Sequence, residues 1–225
     1  MSTTSKRPPF RRPDIVIATA RQVRLRRVTW IVSVAAAAAA LVVLYVIFST
    51  SPAKSTRSGG SSYDTGSPGI GKSAPAFTLK SSTGKPVGLK DFQGRNVLLY
   101  FQEGLTCQPC WDQLTDLEKS SAALKAAGID QVVSITTDPA DLIARKTRDM
   151  GLTTPVLSDP DLAVSKAYQA NNYGMMGTSR DGHSFLLVGP DGTIRWRADY
   201  GGAPDYTMYV AVDKLLADLK AGSAS

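Results

Sequence analysis

The chain is poor in the residues that build metal stores and disulfide scaffolds: 225 residues include two cysteines and one histidine. That count excludes a cysteine-dense framework and a closed zinc shell made from cysteine and histidine alone, which needs four donors. Aromatic residues reach only 8%, yet 43% of the chain is hydrophobic, and this excludes a disordered polar chain. There is no internal repeat, so a solenoid or propeller is excluded as well. Acidic residues are outnumbered, 19 against 26 basic, for a net charge of +7. The excess is local. Residues 1–28 hold Lys6, Arg7, Arg11, Arg12, Arg21, Arg24, Arg26 and Arg27 against Asp14 alone, leaving 18 basic and 18 acidic side chains over the other 197 residues. A body without net charge has no long-range pull on a polyphosphate, so nucleic acid is not an expected partner.

Charge is missing altogether from residues 30–48. Nineteen residues as a helix span about 28 Å, close to the thickness of a hydrocarbon core. The expected organisation is a basic cytoplasmic tail over 1–28 and a transmembrane helix over 29–48. Because the basic residues crowd the N-terminal flank, the rest of the chain is placed outside a cell membrane that it crosses once. Ser51-Pro52-Ala53 also makes a small-residue cleavage site, which leaves a signal peptide as the alternative; both the charged region and the apolar stretch exceed those of a signal peptide. Residues 49–67 are rich in Ser and Gly and read as a flexible linker with a reach of roughly 25 Å.

Strand and helix signals alternate over 68–222. Residues 76–79 and 87–89 flank Ser82-Thr83-Gly84-Lys85 as a hairpin. Residues 96–101 form a continuous apolar strand of the kind buried on both faces. A helix is expected over 107–127, a strand over 131–136 and a helix over 139–150. A short strand at 155–157 and a helix over 159–168 follow. A hairpin joins 184–188 to 193–197, and a last helix runs over 205–220. This order describes an α/β domain, a central mixed sheet flanked by helices.

One constellation carries chemistry. Leu-Leu-Tyr-Phe-Gln-Glu-Gly-Leu-Thr-Cys-Gln-Pro-Cys-Trp, residues 98–111, is a buried strand, a turn and a C-x-x-C that opens a helix. Helix-start amides and the macrodipole favour an anion and lower the pKa of a thiol placed there. Cys107, nearer the loop, is the expected exposed nucleophile and Cys110 the resolving thiol. Pro109 suits the first helical turn, where its missing N–H costs little. A four-residue ring restrains an unfolded chain very little, so a purely structural bridge is not favoured.

Residues 71–79 (Gly-Lys-Ser-Ala-Pro-Ala-Phe-Thr-Leu), 84–94, 157–161 with Ala167-Tyr168, and 185–194 resemble the redoxin, or AhpC/TSA, branch of the thioredoxin-fold superfamily. The resemblance implies a thioredoxin-like fold. It also implies membrane-anchored, extracytoplasmic thiol-disulfide exchange, an antioxidant, redoxin-type activity, with no cofactor beyond the Cys107–Cys110 disulfide. The implied partners are protein thiols and disulfides outside the membrane, a membrane or thioredoxin-type electron donor, and the bilayer itself. Peroxiredoxins place P-x-x-x-T before their peroxidatic cysteine; setting that cysteine on Cys110 puts Glu103 at the proline and Cys107 at the threonine. Gly182 falls near their arginine, with Arg180 two residues away. The TlpA-like tethered reductases match the C-x-x-C, with Thr106 where they carry tryptophan and Gly182 where they carry a cis-proline. Two alternatives therefore stand beside disulfide exchange. One is a thiol peroxidase. The other is a Sco-like copper chaperone, suggested by Asp181-Gly182-His183-Ser184, which would bind copper through Cys107, Cys110 and His183; outside that alternative no metal is expected. Glu103 is either a proton acceptor for the resolving cysteine or an exposed turn residue. Trp111 and Tyr173 either frame the partner groove or pack.

Overall fold

The computed structural model describes residues 33–42 and 62–223. The chain divides into two units, residues 1–54 and 55–225. In the first, residues 33–42 are helical and exposed. The rest of the expected membrane segment, the basic tail and most of the linker lie outside the described residues. No described helix is long and apolar enough to cross a membrane.

The second unit contains strands β1 (Thr78–Ser81), β2 (Pro86–Gly88), β3 (Val97–Phe101), β4 (Gln131–Thr136), β5 (Val156–Ser158), β6 (Ser184–Val188) and β7 (Ile194–Asp199). Helices α1 (Gln108–Lys119), α2 (Ser121–Ala126), α3 (Ala140–Asp149), α4 (Ala163–Ala167) and α5 (Val212–Ser223) connect or follow them. The strands form one mixed sheet in the order β2-β1-β5-β4-β3-β6-β7. β3 is an interior strand next to the central β4, parallel to β4 and antiparallel to β6.

All five residues of β3 are buried, and their alternation divides the core. Leu98 and Tyr100 join Trp111, Leu114 and Leu117 of α1 and Leu215 and Leu219 of α5. Val97, Leu99 and Phe101 join Phe77, Phe92, Val164 and Tyr168 on the other face. A strand covered on both sides has no polar position, which is why its sequence is an unbroken apolar run. Each such side chain contributes about 2 kcal/mol through burial. α1 therefore starts at the C-terminal end of the most buried strand and is held against it by three apolar residues. Its other end is clipped by Glu118, whose carboxylate accepts the amide N–H and hydroxyl of both Thr153 and Thr154. Burial alone would raise the Glu118 pKa; the bonds from Thr154 and Thr153 outweigh it and lower the pKa below the usual range.

Four expected elements differ from those observed. The helix expected over 107–127 is two, broken at Ser120, which ends α1 and caps α2 at φ −93° and ψ 18°. Consecutive serines offer the backbone competing hydrogen bonds and weaken the helix there. The helix expected over 159–168 is confined to Ala163–Ala167, because Leu162 is left-handed at φ 60°. Asp159 instead accepts the N–H groups of Val164 at 3.2 Å and Ser165 at 2.7 Å. The last helix begins at Val212, not at 205; Tyr206 is left-handed at φ 44°, and Met208 and Val210 are buried elsewhere. The expected linker also ends early. Asp64 pairs with Asp199 on β7, with N···O distances of 3.0 and 2.9 Å. The cause is an ion pair on β7: Arg197 grips Asp199 through Nε at 2.7 Å and Nη2 at 3.0 Å, both residues fully buried. A buried pair is tolerated only when its remaining donors and acceptors are met. Here the Gly66 N–H donates to Asp199 at 2.7 Å and the Pro68 carbonyl accepts from Arg197 at 3.2 Å.

Candidate active site

β3 delivers the chain into Gln102-Glu103-Gly104-Leu105-Thr106, and this turn launches α1. Gly104 sits at φ +90°, and a Cβ there would fall on Asp138 Oδ2. Asp138, buried just past β4, is the hub of the turn. Its Oδ2 accepts the Leu105 N–H at 2.7 Å and the Thr136 hydroxyl at 3.2 Å. Its Oδ1 accepts Arg180 Nη1 at 3.0 Å, and the same Nη1 donates to the Glu103 carbonyl at 2.8 Å. From below, the Trp111 indole N–H donates to the Gly104 carbonyl at 3.0 Å. Trp111 is thus a core residue that secures the turn, not a wall of a groove.

Cys107 caps α1 in an extended conformation, φ −99° and ψ 90°, and its Sγ accepts the Cys110 N–H at 3.3 Å. The two cysteines form a disulfide with Cα atoms 5.3 Å apart. Pro109 lies in the first turn as expected, and Thr106, Gln108 and Pro109 are exposed. Cys107 itself is not: it is 7% exposed and Cys110 0%. The expectation of an exposed Cys107 fails, and Met208, from the segment between β7 and α5, forms a buried cluster with the two cysteines.

Behind the disulfide lies a buried polar floor. Tyr100 Oη is 3.2 Å from the Cys110 carbonyl and 3.1 Å from His183 Nδ1. One hydroxyl hydrogen cannot serve both. The arrangement that satisfies all three groups has Tyr100 donating to Cys110 and a protonated Nδ1 donating to Tyr100. His183 is fully buried, with rings of Tyr100, Phe185 and Tyr200 at 5.1, 5.2 and 6.4 Å. Burial lowers its pKa to about 3. Burial, then the Glu103 charge, pushes the Tyr100 phenol up. Tyr100 links His183 to the Cys110 carbonyl. Among the described residues no three His, Cys, Asp or Glu side chains gather as a metal set, so the geometry does not assemble the copper trio.

Gly182 is sterically constrained. Its N–H donates to the Ala170 carbonyl at 3.0 Å, and a Cβ would fall on the Tyr173 backbone. Glu103 is buried rather than exposed, and its carboxylate holds the Met175 N–H; it binds the neighbouring loop and not a cysteine. Tyr173 is half-buried with Arg197 over its ring at 5.8 Å, so it packs toward β7. Asp181 is fully buried, and neither carboxyl oxygen has a hydrogen-bond partner in the structure. The nearby Ser165 hydroxyl is directed to Asp159. Burial raises the Asp181 pKa well above the carboxylate range, Asp159 and Asp138 adding to it against Ser165 and Arg180. Sequence reasoning missed Asp138, Gly104, Tyr100 and Met208. A glycine three residues past a buried strand was the one local signal available.

A dithiol pair bridged at the start of a helix, on the end of an interior strand, defines a thioredoxin-like redox domain. The family profile described as AhpC/TSA family matches residues 70–197, and the chain belongs to that family. It is 35% identical over 127 residues to Peroxiredoxin Bcp of Escherichia coli strain K12, covering 55% of this chain and 81% of the relative. It is 30% identical over 100 residues to the thiol-disulfide oxidoreductase ResA of Bacillus thuringiensis, covering 44% of this chain and 57% of the relative. Among solved structures, that of Peroxidoxin BcpB from Mycobacterium tuberculosis superposes with a TM-score of 0.56 at 21% identity, covering 68% of this chain and 96% of the other; this likeness speaks to the fold. The chain is an oxidoreductase of the thiol and peroxide class.

Two consequences are measurable. Gly104→Ala places a methyl on the Asp138 carboxylate at a positive φ and is expected to cost about 2–4 kcal/mol of stability in urea unfolding. His183 has a folded pKa of about 3 against 6.5 for the free group, so between these values the unfolded chain binds a proton that the folded chain does not. Stability is then unaffected above pH 6.5 and falls as pH drops toward 3, by about 1.4 kcal/mol per pH unit. His183→Phe is expected to flatten that acid limb by one proton; an unchanged slope would show that the histidine is not buried as a neutral ring.

Proposed function

We propose that the protein is a membrane-anchored, extracytoplasmic thiol-disulfide oxidoreductase in which Cys107 is the nucleophile and Cys110 the resolving thiol. The carrying observation is the N-cap geometry: Cys107 Sγ already accepts a helix-start N–H. In the reduced protein the same amide and the helix dipole stabilise a thiolate at that position. Cys110 is fully buried, so exchange begins at Cys107. The Cys107 thiolate attacks a partner disulfide, one partner sulfur leaves as a thiolate, and a mixed disulfide forms. Cys110, as thiolate, then attacks Cys107 Sγ, releases the second partner thiolate and closes the Cys107–Cys110 bridge. The partner gains two electrons and the pair loses them. A thioredoxin-type or membrane dithiol returns them by the reverse steps.

The placement rests on the sequence: a basic stretch, then an uncharged apolar one, then a Ser/Gly-rich linker put the redox domain outside the membrane, tethered to the bilayer. Its partners are protein thiols and disulfides there.

A second reading, thiol peroxidase, is favoured by the resemblance to Peroxiredoxin Bcp. A thiolate would take one oxygen from a hydroperoxide, giving a sulfenic acid and an alcohol or water. The other cysteine would condense with it, release water and form the same disulfide.

The two readings separate in Cys110→Ser. Under disulfide exchange this variant accumulates mixed disulfides through Cys107, cleared by dithiothreitol and lost when Cys107→Ser is added. Under the same reading the reduced wild type meets hydrogen peroxide no faster than a free thiol does. No trapped partner together with rapid sulfenic acid formation would establish the peroxidase instead.

A further inference from the structure

Among the described residues, Met208 is the one buried apolar side chain that clusters with the two cysteines. It belongs to residues 200–211, which join β7 to α5 and lie across α1. Contacts on either side hold it there. The Thr207 N–H donates to the Tyr200 carbonyl at 3.1 Å and the Tyr206 N–H to the Gly202 carbonyl at 3.0 Å. Beyond it, the Tyr209 hydroxyl donates to Asp116 at 2.7 Å and the Val210 N–H to Gln113 Oε1 at 2.7 Å. A Cβ at Gly201 would fall 2.1 Å from the Tyr173 carbonyl oxygen and 2.8 Å from the His183 amide nitrogen, with Met208 Cε at 3.0 Å.

These fastenings are unequal. Gln113 and Val210 are buried, whereas the Tyr209–Asp116 bond is exposed and competes with water. The thioether makes no hydrogen bond that its departure would break, and methionine repacks readily through its rotatable bonds. The buried Val210–Gln113 bond is the firmer fastening, and the exposed Tyr209–Asp116 bond is the weaker one beside Met208.

We infer that Met208 is a specificity-determining gate over the disulfide, which admits thiols presented on an apolar protein surface in preference to small hydrophilic thiols. Displacement at Cys107 requires the incoming thiolate on the line that extends the Cys110–Cys107 bond, and at 7% exposure that approach opens only when the shielding thioether moves. A protein partner replaces the contacts of Met208 with its own; a small thiol cannot. The incoming thiolate bonds to Cys107 Sγ and the electron pair of the broken bridge passes to Cys110. The second thiol of the donor, as thiolate, then displaces Cys107, so the donor leaves as a disulfide and the pair is reduced. The gate deepens the exchange reading by naming the partner class, but it concerns reactivity of the disulfide itself and is tested without any physiological partner.

The test follows reduction of the oxidised full chain by dithiothreitol and by reduced thioredoxin in the wild type, Met208→Ala, Met208→Leu and Tyr209→Phe. If the open form is about a tenth of the population, Met208→Ala raises the dithiothreitol rate about tenfold and the thioredoxin rate by less than about twofold. Met208→Leu, which refills the space, keeps the wild-type ratio of the two rates, and Tyr209→Phe moves the ratio in the direction of alanine. An unchanged dithiothreitol rate in Met208→Ala, or an equal rise with both reductants, overturns the gate. Should Met208→Ala fail to fold, an unchanged ratio in Tyr209→Phe overturns it. Selective acceleration with no partner trapped by Cys110→Ser upholds the gate and removes the exchange reading; trapping without selective acceleration does the reverse.

Discussion

The Asp138 carboxylate, buried past the end of β4, holds together three segments far apart in sequence: its own strand end, the turn before Cys107, and the loop that carries Arg180. A lone carboxylate in that position would be costly. It is stable because an amide, a hydroxyl and a guanidinium meet its oxygens, and the guanidinium also reaches the Glu103 carbonyl. Charge-assisted bonds of this kind are stronger and more directional than neutral ones. The position of Cys107 at the start of α1 follows from them, since the turn has no apolar anchor of its own beyond half-buried Leu105. Gly104 is the condition for the arrangement: no side chain fits between the turn and the carboxylate.

The disulfide and the groups behind it are enclosed by side chains. Tyr100, Phe185 and Tyr200 enclose His183, and Met208 encloses the sulfurs. The aromatic floor keeps the imidazole neutral and the phenol protonated, so the polar groups behind the disulfide orient the Cys110 carbonyl without carrying charge. A favourable electrostatic influence on Cys107 comes from the helix start, where its sulfur accepts an amide hydrogen. This division suits disulfide exchange. In the proposed exchange, Cys107 is tuned by a backbone amide, which no substitution in a partner surface disturbs.

The charge of the whole chain says little about this chemistry. Its +7 resides in residues 1–28, and residues 62–223, which hold the disulfide, carry 16 basic and 18 acidic side chains. A neutral, largely covered redox pair relies on shape and apolar contact for recognition, not on long-range steering. That is consistent with a thioether, and not a charged side chain, resting on the sulfurs.

What could be read in the chain alone was whatever depends on neighbours in sequence. The apolar run 97–101 had to be a strand covered on both faces, the C-x-x-C had to open a helix with Pro109 in its first turn, and the two hairpins followed from their turns. These rest on backbone preference and local hydrogen bonding, which a few consecutive residues specify. Long-range partners decided the rest. His183 was legible as a neighbour of the C-x-x-C but not as a neutral ring, because its environment comes from β3, β6 and the end of β7. Met208 was indistinguishable from any methionine in a helical pattern; that it leaves the helix and covers the sulfurs depends on Gln113 and Asp116 in α1. Asp138 carried no signal at all. Its role exists only once β4 ends beside the turn from β3, and burial turns an ordinary surface-type residue into the clamp that sets the active site.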